Sequence, residues 1–317
     1  MPLLNVAVIA TEGFSSFHLS VPIILFGDTV SSQKLFKLKI CAEVPGMIGA
    51  KDGMAVKADF GLEGLLGSDI VIVPFWEHIH QRPSSLLLES LISAKSSGAQ
   101  IVGLCLGTYV LAYAGLLDGK RAATHWEFEK DFVRLFPSVQ LDVNVLFVED
   151  DGVVTSAGTA AAMDCCLYLI RQRFGAVIAN QIARRMVIPP YRDGGQSQYI
   201  EQLVPHNTAD TRINALLEFL QQNLKVAHDL DSLAASVSMS RRTLTRHFHK
   251  ATGMSVIEWL STERLHKSQE LLESTDLSIE LVSEYAGFKS PITFRQMFRE
   301  KMGVSPIEWR KTFRGNY

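Results

Sequence analysis

The chain has 317 residues, of which 47% are hydrophobic and 20% charged, so it can form two or three domains that each bury a core. A net charge of −2 excludes a uniformly basic nucleic-acid-binding protein. The charge is divided unequally, however: residues 1–212 hold 17 Lys+Arg against 21 Asp+Glu (−4), and residues 213–317 hold 14 Lys+Arg against 12 Asp+Glu (+2). No apolar run approaches the roughly 20 residues that a membrane helix needs, so we expect no membrane association.

The first part of the chain alternates short apolar strands with amphipathic helices. This alternation predicts an α/β sandwich around a mostly parallel sheet for residues 1–187. A hairpin is expected near 45–53, and another around the Asp151-Gly152 turn. The predicted strands are 3–10, 36–44, 69–75, 100–104, 141–148 and 153–156, and the predicted helices are 17–26, 84–97, 107–114, 158–174 and 176–186.

Residues 188–211 interrupt this pattern with two prolines in succession, two glycines in succession and several polar residues. We interpret them as a linker. From residue 212 to 317 the apolar spacing is helical throughout. Helices are expected near 212–224, 230–237, 240–251, 255–272, 278–286, 290–301 and 305–313.

Four cysteines, at positions 41, 105, 165 and 166, have neither the spacing of a zinc site nor that of a disulfide framework. A reducing compartment fits this usage, and the amino terminus has no basic segment of the kind that precedes a secretory signal. We therefore expect a cytoplasmic protein without a metal or cofactor. The pair His78 and His80 has metal-site spacing, but with no third ligand nearby a solvated loop is the better interpretation.

Cys105 lies where a predicted strand turns into a helix, between Gly103 and Gly107. Ligands of open α/β sheets bind at such carboxyl ends of strands. A helix amino terminus at this point would lower the thiol pKa. As a nucleophile Cys105 would need a base, for which His125 is a candidate, and a group to orient that base, which the sequence does not offer.

Together, the turn around Cys105 and the segment Thr124-His125-Trp126 resemble the PfpI-type, class I glutamine amidotransferase-like superfamily, over residues 3–187. The resemblance implies a flavodoxin-like sandwich. Segments 115–119 and 155–158 resemble its sensor branch, which is fused to transcription regulators. Catalytic members carry a glutamate four residues before a proline in the first helix, and here that position is His18. We therefore expect Cys105 to line a ligand pocket or to pack as a small buried residue, and not to act as a nucleophile. The expected pocket residues are Cys105, His18, His125, Trp76 and Trp126.

The second half repeats itself at an offset of fifty residues, from Ser240 and Ser290 onward. In each copy a short helix, a tight turn and a second helix follow one another, which predicts two helix-turn-helix units joined by a long helix. The segment from Ser240 to Lys250 contains three arginines, a lysine and two histidines but no acidic residue. Two such helices held rigidly could enter successive major grooves about 34 Å apart.

This half resembles the AraC/XylS family of transcription regulators over residues 212–313, with Ala286-Gly287-Phe288 and Gly303-Val304-Ser305-Pro306 among its motifs. The resemblance implies base contacts from matching positions of both recognition helices. Gln296 stands where many members have arginine and would suit adenine rather than guanine. The expected DNA-binding residues are Arg241, Arg242, Thr245, Arg246, His249, Thr293, Arg295, Gln296 and Arg299.

The preferred hypothesis is a sequence-specific regulator of transcription, not an enzyme, that is controlled by a small metabolite bound in residues 1–187. Its expected partners are double-stranded DNA, a second copy of the chain in a homodimer and, as a candidate, RNA polymerase. A nitrogenous effector is one option, because aromatic side chains attract cations. The alternatives are a cysteine-dependent hydrolase or amidase with a DNA-binding tail, and a redox sensor based on Cys105.

Overall fold

The computed structural model describes residues 3–27, 34–189, 196 and 210–314. Backbone contacts divide the chain into two compact units, Met1–Gln196 and Ser197–Tyr317. In the part of the chain that the structure describes, no helix is both long and apolar enough to cross a membrane.

The first unit is built on a six-stranded sheet. Its elements are β1 (Leu4–Ile9), α1 (Ser16–Phe26), β2 (Phe36–Cys41), β3 (Gly46–Gly49), β4 (Ala55–Ala58), β5 (Ile70–Val73), α2 (Ser85–Ser96), β6 (Gln100–Leu104), α3 (Gly107–Tyr113), β7 (Arg121–Ala122), α4 (Glu129–Leu135), β8 (Gln140–Leu141), β9 (Phe147–Asp150), β10 (Val153–Ser156) and α5 (Ala161–Arg185).

The sheet has the strand order β2-β1-β5-β6-β10-β9, parallel except for the edge strand β9. The strands β1, β5 and β6 are apolar along most of their length because helices cover both of their faces. Residues of α1 and α5 pack on one face and residues of α2 and α3 on the other. The predicted flavodoxin-like sandwich is confirmed.

Two stretches of the first unit differ from the prediction, and one predicted helix break is present. The predicted strand 141–148 is wrong over 142–146, because the Asp142 side chain accepts a hydrogen bond from the Asn144 amide (3.0 Å) and turns the chain between β8 and β9. The helix α4 was not predicted from the sequence. The predicted break between two helices is present at Gly175, whose φ of 80° interrupts α5.

The second unit is helical. Its elements are α6 (Thr211–Gln222), α7 (Leu230–Ser236), α8 (Arg241–Thr252), α9 (Val256–Ser274), α10 (Ile279–Ala286), α11 (Pro291–Met302) and α12 (Pro306–Phe313). The helix pairs α7–α8 and α10–α11 are the two predicted helix-turn-helix units. Most of the predicted linker 188–211 lies outside the described residues, and α6 begins at Thr211, inside that range.

Each helix-turn-helix unit packs its own apolar core against one end of α9. Trp259 near the start of α9 is buried with α6 and α8, whereas Leu272 near its end is buried with α10 and α11. Between the two cores, Arg264 of α9 donates to the carbonyl oxygens of Leu224 (2.9 Å) and Val226 (3.2 Å). The same Leu224 carbonyl faces Gly287, the turn of the second unit, where a Cβ atom would lie 2.2 Å away.

We expect Gly287→Ala to destabilise the second unit by about 3 kcal/mol, because an alanine there combines left-handed backbone strain with a collision against backbone. Gly253→Ala is the matched control. Gly253 has a similar φ of 74° but nothing within 4 Å of the built Cβ, so only the strain of about 1–2 kcal/mol remains. Hydrogen exchange of the amides in α9 and α10 measures both effects. Equal losses in the two variants would contradict the proposed packing.

Candidate functional site

Cys105 forms a strained turn between β6 and α3. Its φ is 51°, a left-handed value that is uncommon for a residue with a side chain. The Cys105 amide donates to the Ser156 carbonyl (3.1 Å), and its carbonyl accepts from the Thr124 hydroxyl (2.9 Å). At Gly107 a Cβ atom would lie 2.0 Å from the Val73 carbonyl oxygen, so the turn needs glycine there. The predicted elbow is therefore present in the fold.

The Cys105 thiol is not activated by its position. Burial raises its pKa to about 11, and hydrogen bonds from the backbone of Thr159 and Leu106 oppose this rise only in part. The expectation that the helix amino terminus lowers this pKa is wrong, because the side chain is only 3% exposed and desolvation outweighs the backbone dipoles. At neutral pH the group is a protonated thiol.

His18 lies in α1, with its ring 5.0 Å from that of Phe75. Its Nδ1 atom pairs with the Ser15 hydroxyl (2.8 Å), whereas its buried Nε2 atom has no hydrogen-bond partner among the described residues. Burial, and to a lesser extent the charge of nearby His125, lowers the pKa of His18 to about 4. His18 is therefore neutral at pH 7 and leaves one polar atom for a ligand or a water to satisfy.

His125 is held by its neighbours in the loop before α4. Its Nδ1 atom accepts from the Glu127 amide (3.3 Å), and the Glu127 carboxylate lies 3.8 Å from the same nitrogen. Burial lowers the pKa of His125, and Glu127 opposes this shift. The ring lies directly over Gly158, where a Cβ atom would be 1.8 Å from the His125 Cδ2 atom. The structure thus brings His18 near His125, and the Thr124 hydrogen bond ties this loop to Cys105.

The two predicted tryptophans lie on different sides of this cluster. The Trp126 ring is 5.8 Å from the ring of His125. The Trp76 indole donates to the His78 carbonyl (2.8 Å) and to the Gln81 carbonyl (3.1 Å), and Trp76 lines a cavity of the first unit.

That cavity has a volume of about 470 Å³ and lies beyond the carboxyl ends of β1 and β2. A volume of this size suits a small metabolite. Three carboxylates that the sequence reading missed line it, and they belong to Glu12, Glu43 and Glu77. Of the five predicted pocket residues, Trp76 alone is in its lining. The signal was available in the sequence, because Glu12 and Glu43 each follow closely on a predicted strand.

Gln196 was also missed. Its side chain is 4% exposed and inserts beside His125, where it donates to the carbonyls of Thr124 (2.9 Å) and Val143 (3.1 Å) and accepts from the Trp126 amide (3.2 Å). The sequence placed it in the linker. Among the described residues, no group of three or more His, Cys, Asp or Glu side chains could hold a metal ion.

In the second unit, α8 turns one face inward and the opposite face to solvent. Leu244 and Phe248 are fully buried, whereas Arg242 and Arg246 are exposed and, among the described residues, form no ion pair. Ser240 caps the helix by accepting from the Thr243 amide (3.2 Å). The predicted DNA-binding residues Arg241, Arg242, Thr245, Arg246 and His249 form one continuous concave surface with Lys250.

The helix α11 has the same construction with different chemistry on its outer face. Ser290 caps it, and Phe294 and Phe298 are buried. Thr293, Arg295, Gln296 and Arg299 are all exposed, as predicted for DNA contacts. Arg295, however, is paired with Glu280 of α10, so its charge is already neutralised in part.

Asp210 connects the start of the second unit to α8. Its carboxylate accepts from the Arg212 amide (3.1 Å) as the cap of α6, and it also pairs with His247 of α8 (3.1 Å). These contacts, with that of His247 the largest, hold the pKa of Asp210 below its usual value. The sequence reading did not identify this link.

Comparison with known protein families matches residues 4–172 to the DJ-1/PfpI family and residues 233–312 to the helix-turn-helix domain family. The chain is 30% identical over 277 residues to the HTH-type transcriptional regulator CdhR of Pseudomonas aeruginosa, which covers 87% of this chain and 82% of that protein. It is 28% identical over 284 residues to the HTH-type transcriptional regulator GbdR of the same species, which covers 90% and 77%.

Among solved structures, the crystal structure of an AraC family transcriptional regulator from Pseudomonas putida has a TM-score of 0.51 at 19% identity. The match covers 58% of this chain and 99% of that one. At this identity the likeness concerns the fold alone.

We expect Gly158→Ala to displace His125, since the new methyl group would occupy the position of its ring. A loss of about 1–3 kcal/mol in stability should accompany the move. Gly119→Ala is a control for a glycine without close neighbours, although its φ of 71° adds strain of its own. The imidazole NMR resonances of His125 report the displacement, and unchanged resonances in Gly158→Ala would contradict the close packing.

We expect alkylation of Cys105 by iodoacetamide to keep rising about tenfold per pH unit up to pH 10, because only the thiolate reacts and the thiol pKa is about 11. Peptide mass spectrometry resolves Cys105 from the other three cysteines. A plateau near pH 7 would instead reveal an activated thiolate.

Proposed function

Because this chain belongs to the DJ-1/PfpI family and carries the helix-turn-helix domain of AraC-type transcriptional regulators, we propose that a small metabolite bound in its first unit controls how tightly its second unit binds DNA. Its relatives are themselves named transcriptional regulators. What carries the proposal is the exposed, acid-free face of α8 with Arg242 and Arg246. Such a face can place guanidinium groups against the acceptor atoms of guanine in the major groove.

Two features of the first unit support the proposal that it binds a metabolite. The cavity of about 470 Å³ has the size of a ligand site, and Glu12 and Glu43 with Trp76 favour a cationic nitrogen compound, whereas Glu77 is already paired with Lys51. The buried, unsatisfied Nε2 atom of His18 is a second point at which a ligand could bind. A ligand changes DNA affinity only if it binds two states of the protein unequally, so the effector must distinguish them.

The same proposal includes a homodimer, and RNA polymerase is a candidate partner once the protein is on DNA. Both follow from the resemblance to AraC-type regulators. Two copies would double the number of helix-turn-helix units on the operator and make binding depend on the spacing of half-sites.

The alternative, a cysteine-dependent hydrolase, is less well supported. A nucleophilic thiol needs a lowered pKa or a base that is oriented by a third group. Burial raises the pKa of Cys105, and His18 stands at the position of the glutamate in catalytic relatives. Cys105→Ala discriminates between the two functions: the regulator should keep its DNA binding, and wild-type protein should hydrolyse no candidate amide.

The full-length protein should bind the DNA upstream of its own gene with a preference over unrelated duplexes, and the affinity should fall as salt rises. Arg246→Ala should weaken binding to the preferred sequence about tenfold or more, because a bidentate contact to guanine is lost. Electrophoretic mobility shift or fluorescence anisotropy measures both, with and without pools of candidate metabolites.

Lys250→Ala is the matched control on the same helix. Lys250 is expected to contact phosphate, so its loss should weaken binding to all duplexes equally and reduce the salt slope by about one. Gln296→Ala should cost less discrimination than Arg246→Ala. Losses of equal size for Arg246→Ala and Gln296→Ala, or losses that are uniform over all sequences, would refute this assignment of roles.

A further inference from the structure

The outer face of α11 carries an isoleucine where α8 carries an arginine. Ile292 is 75% exposed, although its side chain is large and apolar. With the fifty-residue offset of the repeat, Ile292 corresponds to Arg242 and Gln296 corresponds to Arg246. A single exposed isoleucine needs no explanation by itself. The inference therefore depends on the position of Ile292 within the repeat.

That position is at the centre of the outer face. At about 100° per residue, Ile292 and Gln296 are the residues of the first two turns that point most nearly opposite to Phe294 and Phe298, which are fully buried. They are also four residues apart, so their side chains are neighbours on the helix surface. If α11 enters a major groove, these two side chains face the base edges.

The charges around the two recognition helices also differ. Arg295 lies on the flank of α11, and its ion pair with Glu280 occupies its guanidinium. On α8 the two central positions are arginines without such a partner among the described residues. The centre of the α8 face is therefore cationic, whereas the centre of the α11 face is one apolar group beside one amide.

The arginines Arg242 and Arg246 match one set of base edges, and Ile292 with Gln296 matches another. Arginine pairs with the O6 and N7 acceptors of guanine, glutamine pairs with N6 and N7 of adenine, and an apolar side chain contacts the C5-methyl group of thymine. The four residues from Ile292 to Gln296 rise about 6 Å along α11, and successive bases of a strand are about 3.4 Å apart. The two side chains can thus reach base pairs that are no more than about two steps apart.

We propose that the second helix-turn-helix unit reads an A·T step, with Ile292 against the methyl group of a thymine and Gln296 on an adenine within two base pairs of it. The first unit reads guanine through Arg242 and Arg246. The two units of one chain therefore require operator half-sites of different base composition. This inference rests on the proposed DNA-binding function and adds the base chemistry of the second half-site.

The test begins with selection of duplexes from a library with a randomised segment, using the full-length protein. The second half-site is the set of positions whose preference changes in Gln296→Ala and not in Arg246→Ala. Each thymine in that half-site is then replaced by deoxyuridine, which lacks only the C5-methyl group. At one position wild-type protein should bind the uracil duplex roughly fourfold more weakly, the value of one buried methyl group.

Ile292→Ala should bind the thymine and uracil duplexes equally. Ile307→Ala is the matched control, because Ile307 is an isoleucine of the following helix that is 54% exposed, and it should discriminate as wild type does. Replacement of the adenine by 7-deazaadenine, which lacks the N7 acceptor, should weaken wild type about tenfold and leave Gln296→Ala unaffected.

Discrimination against uracil that persists in Ile292→Ala would overturn the contact, and so would its absence at every position in wild type. A second half-site rich in G·C pairs would also overturn it. If wild-type protein selects no preferred duplex at all, the proposed function fails together with this inference. Selection of a preferred duplex without thymine dependence refutes the inference alone.

Discussion

The half-buried guanidinium of Arg264 is the contact on which the DNA-binding half depends. It lies in the middle of α9 between two separate apolar cores, and it donates to carbonyl oxygens at the end of the segment after α6. One of these carbonyls also faces the turn at Gly287. Contacts to the backbone therefore join the two cores at one junction, and the proposed reading of two major grooves would require such a fixed junction.

In the first unit the corresponding constraint is steric. The close approach of Gly107 to the backbone of β5 forces the tight elbow, and the elbow buries the thiol of Cys105. Burial of the same region leaves His18 neutral. At this elbow the nearby Glu127 carboxylate adds to the rise in the thiol pKa of Cys105, and further carboxylates lie around the cavity at Glu12 and Glu43. The elbow therefore lacks the lowered thiol pKa that a cysteine nucleophile needs, which supports the proposed regulator over a hydrolase.

Much of this could be predicted from the sequence because the signals were periodic or repeated. The parallel strands, the two helix-turn-helix units and both family resemblances are confirmed. What escaped prediction depends on particular side-chain hydrogen bonds and on burial, which leave no periodic pattern in the sequence. The turn at Asp142 ends a strand through a local hydrogen bond, Gln196 enters the first unit from a segment of linker composition, and the thiol pKa of Cys105 follows from burial that only the assembled sheet creates.

The candidate site shows the same division. Residues at motif positions, such as Cys105 and His125, could be named from the sequence, because the motif itself fixes their place in the fold. The positions of Glu12 and Glu43 just after predicted strands could have indicated the cavity, but Glu77 lies in the loop after β5 and meets them only in the folded sheet. The exposed face of α8 or α11, by contrast, belongs to a single helix, so helical periodicity could predict which of its side chains face solvent.

The carboxylate of Asp210 has a consequence for modular exchange between regulators. It serves at once as the cap of α6 and as the partner of His247 on α8. Both helices therefore depend on one side chain that belongs to neither of them. A hybrid protein that joins another sensor directly to Thr211 would remove this carboxylate and leave both helices changed. The transferable DNA-binding cassette therefore begins one residue before its first helix, and its upstream neighbour must allow Asp210 its extended backbone.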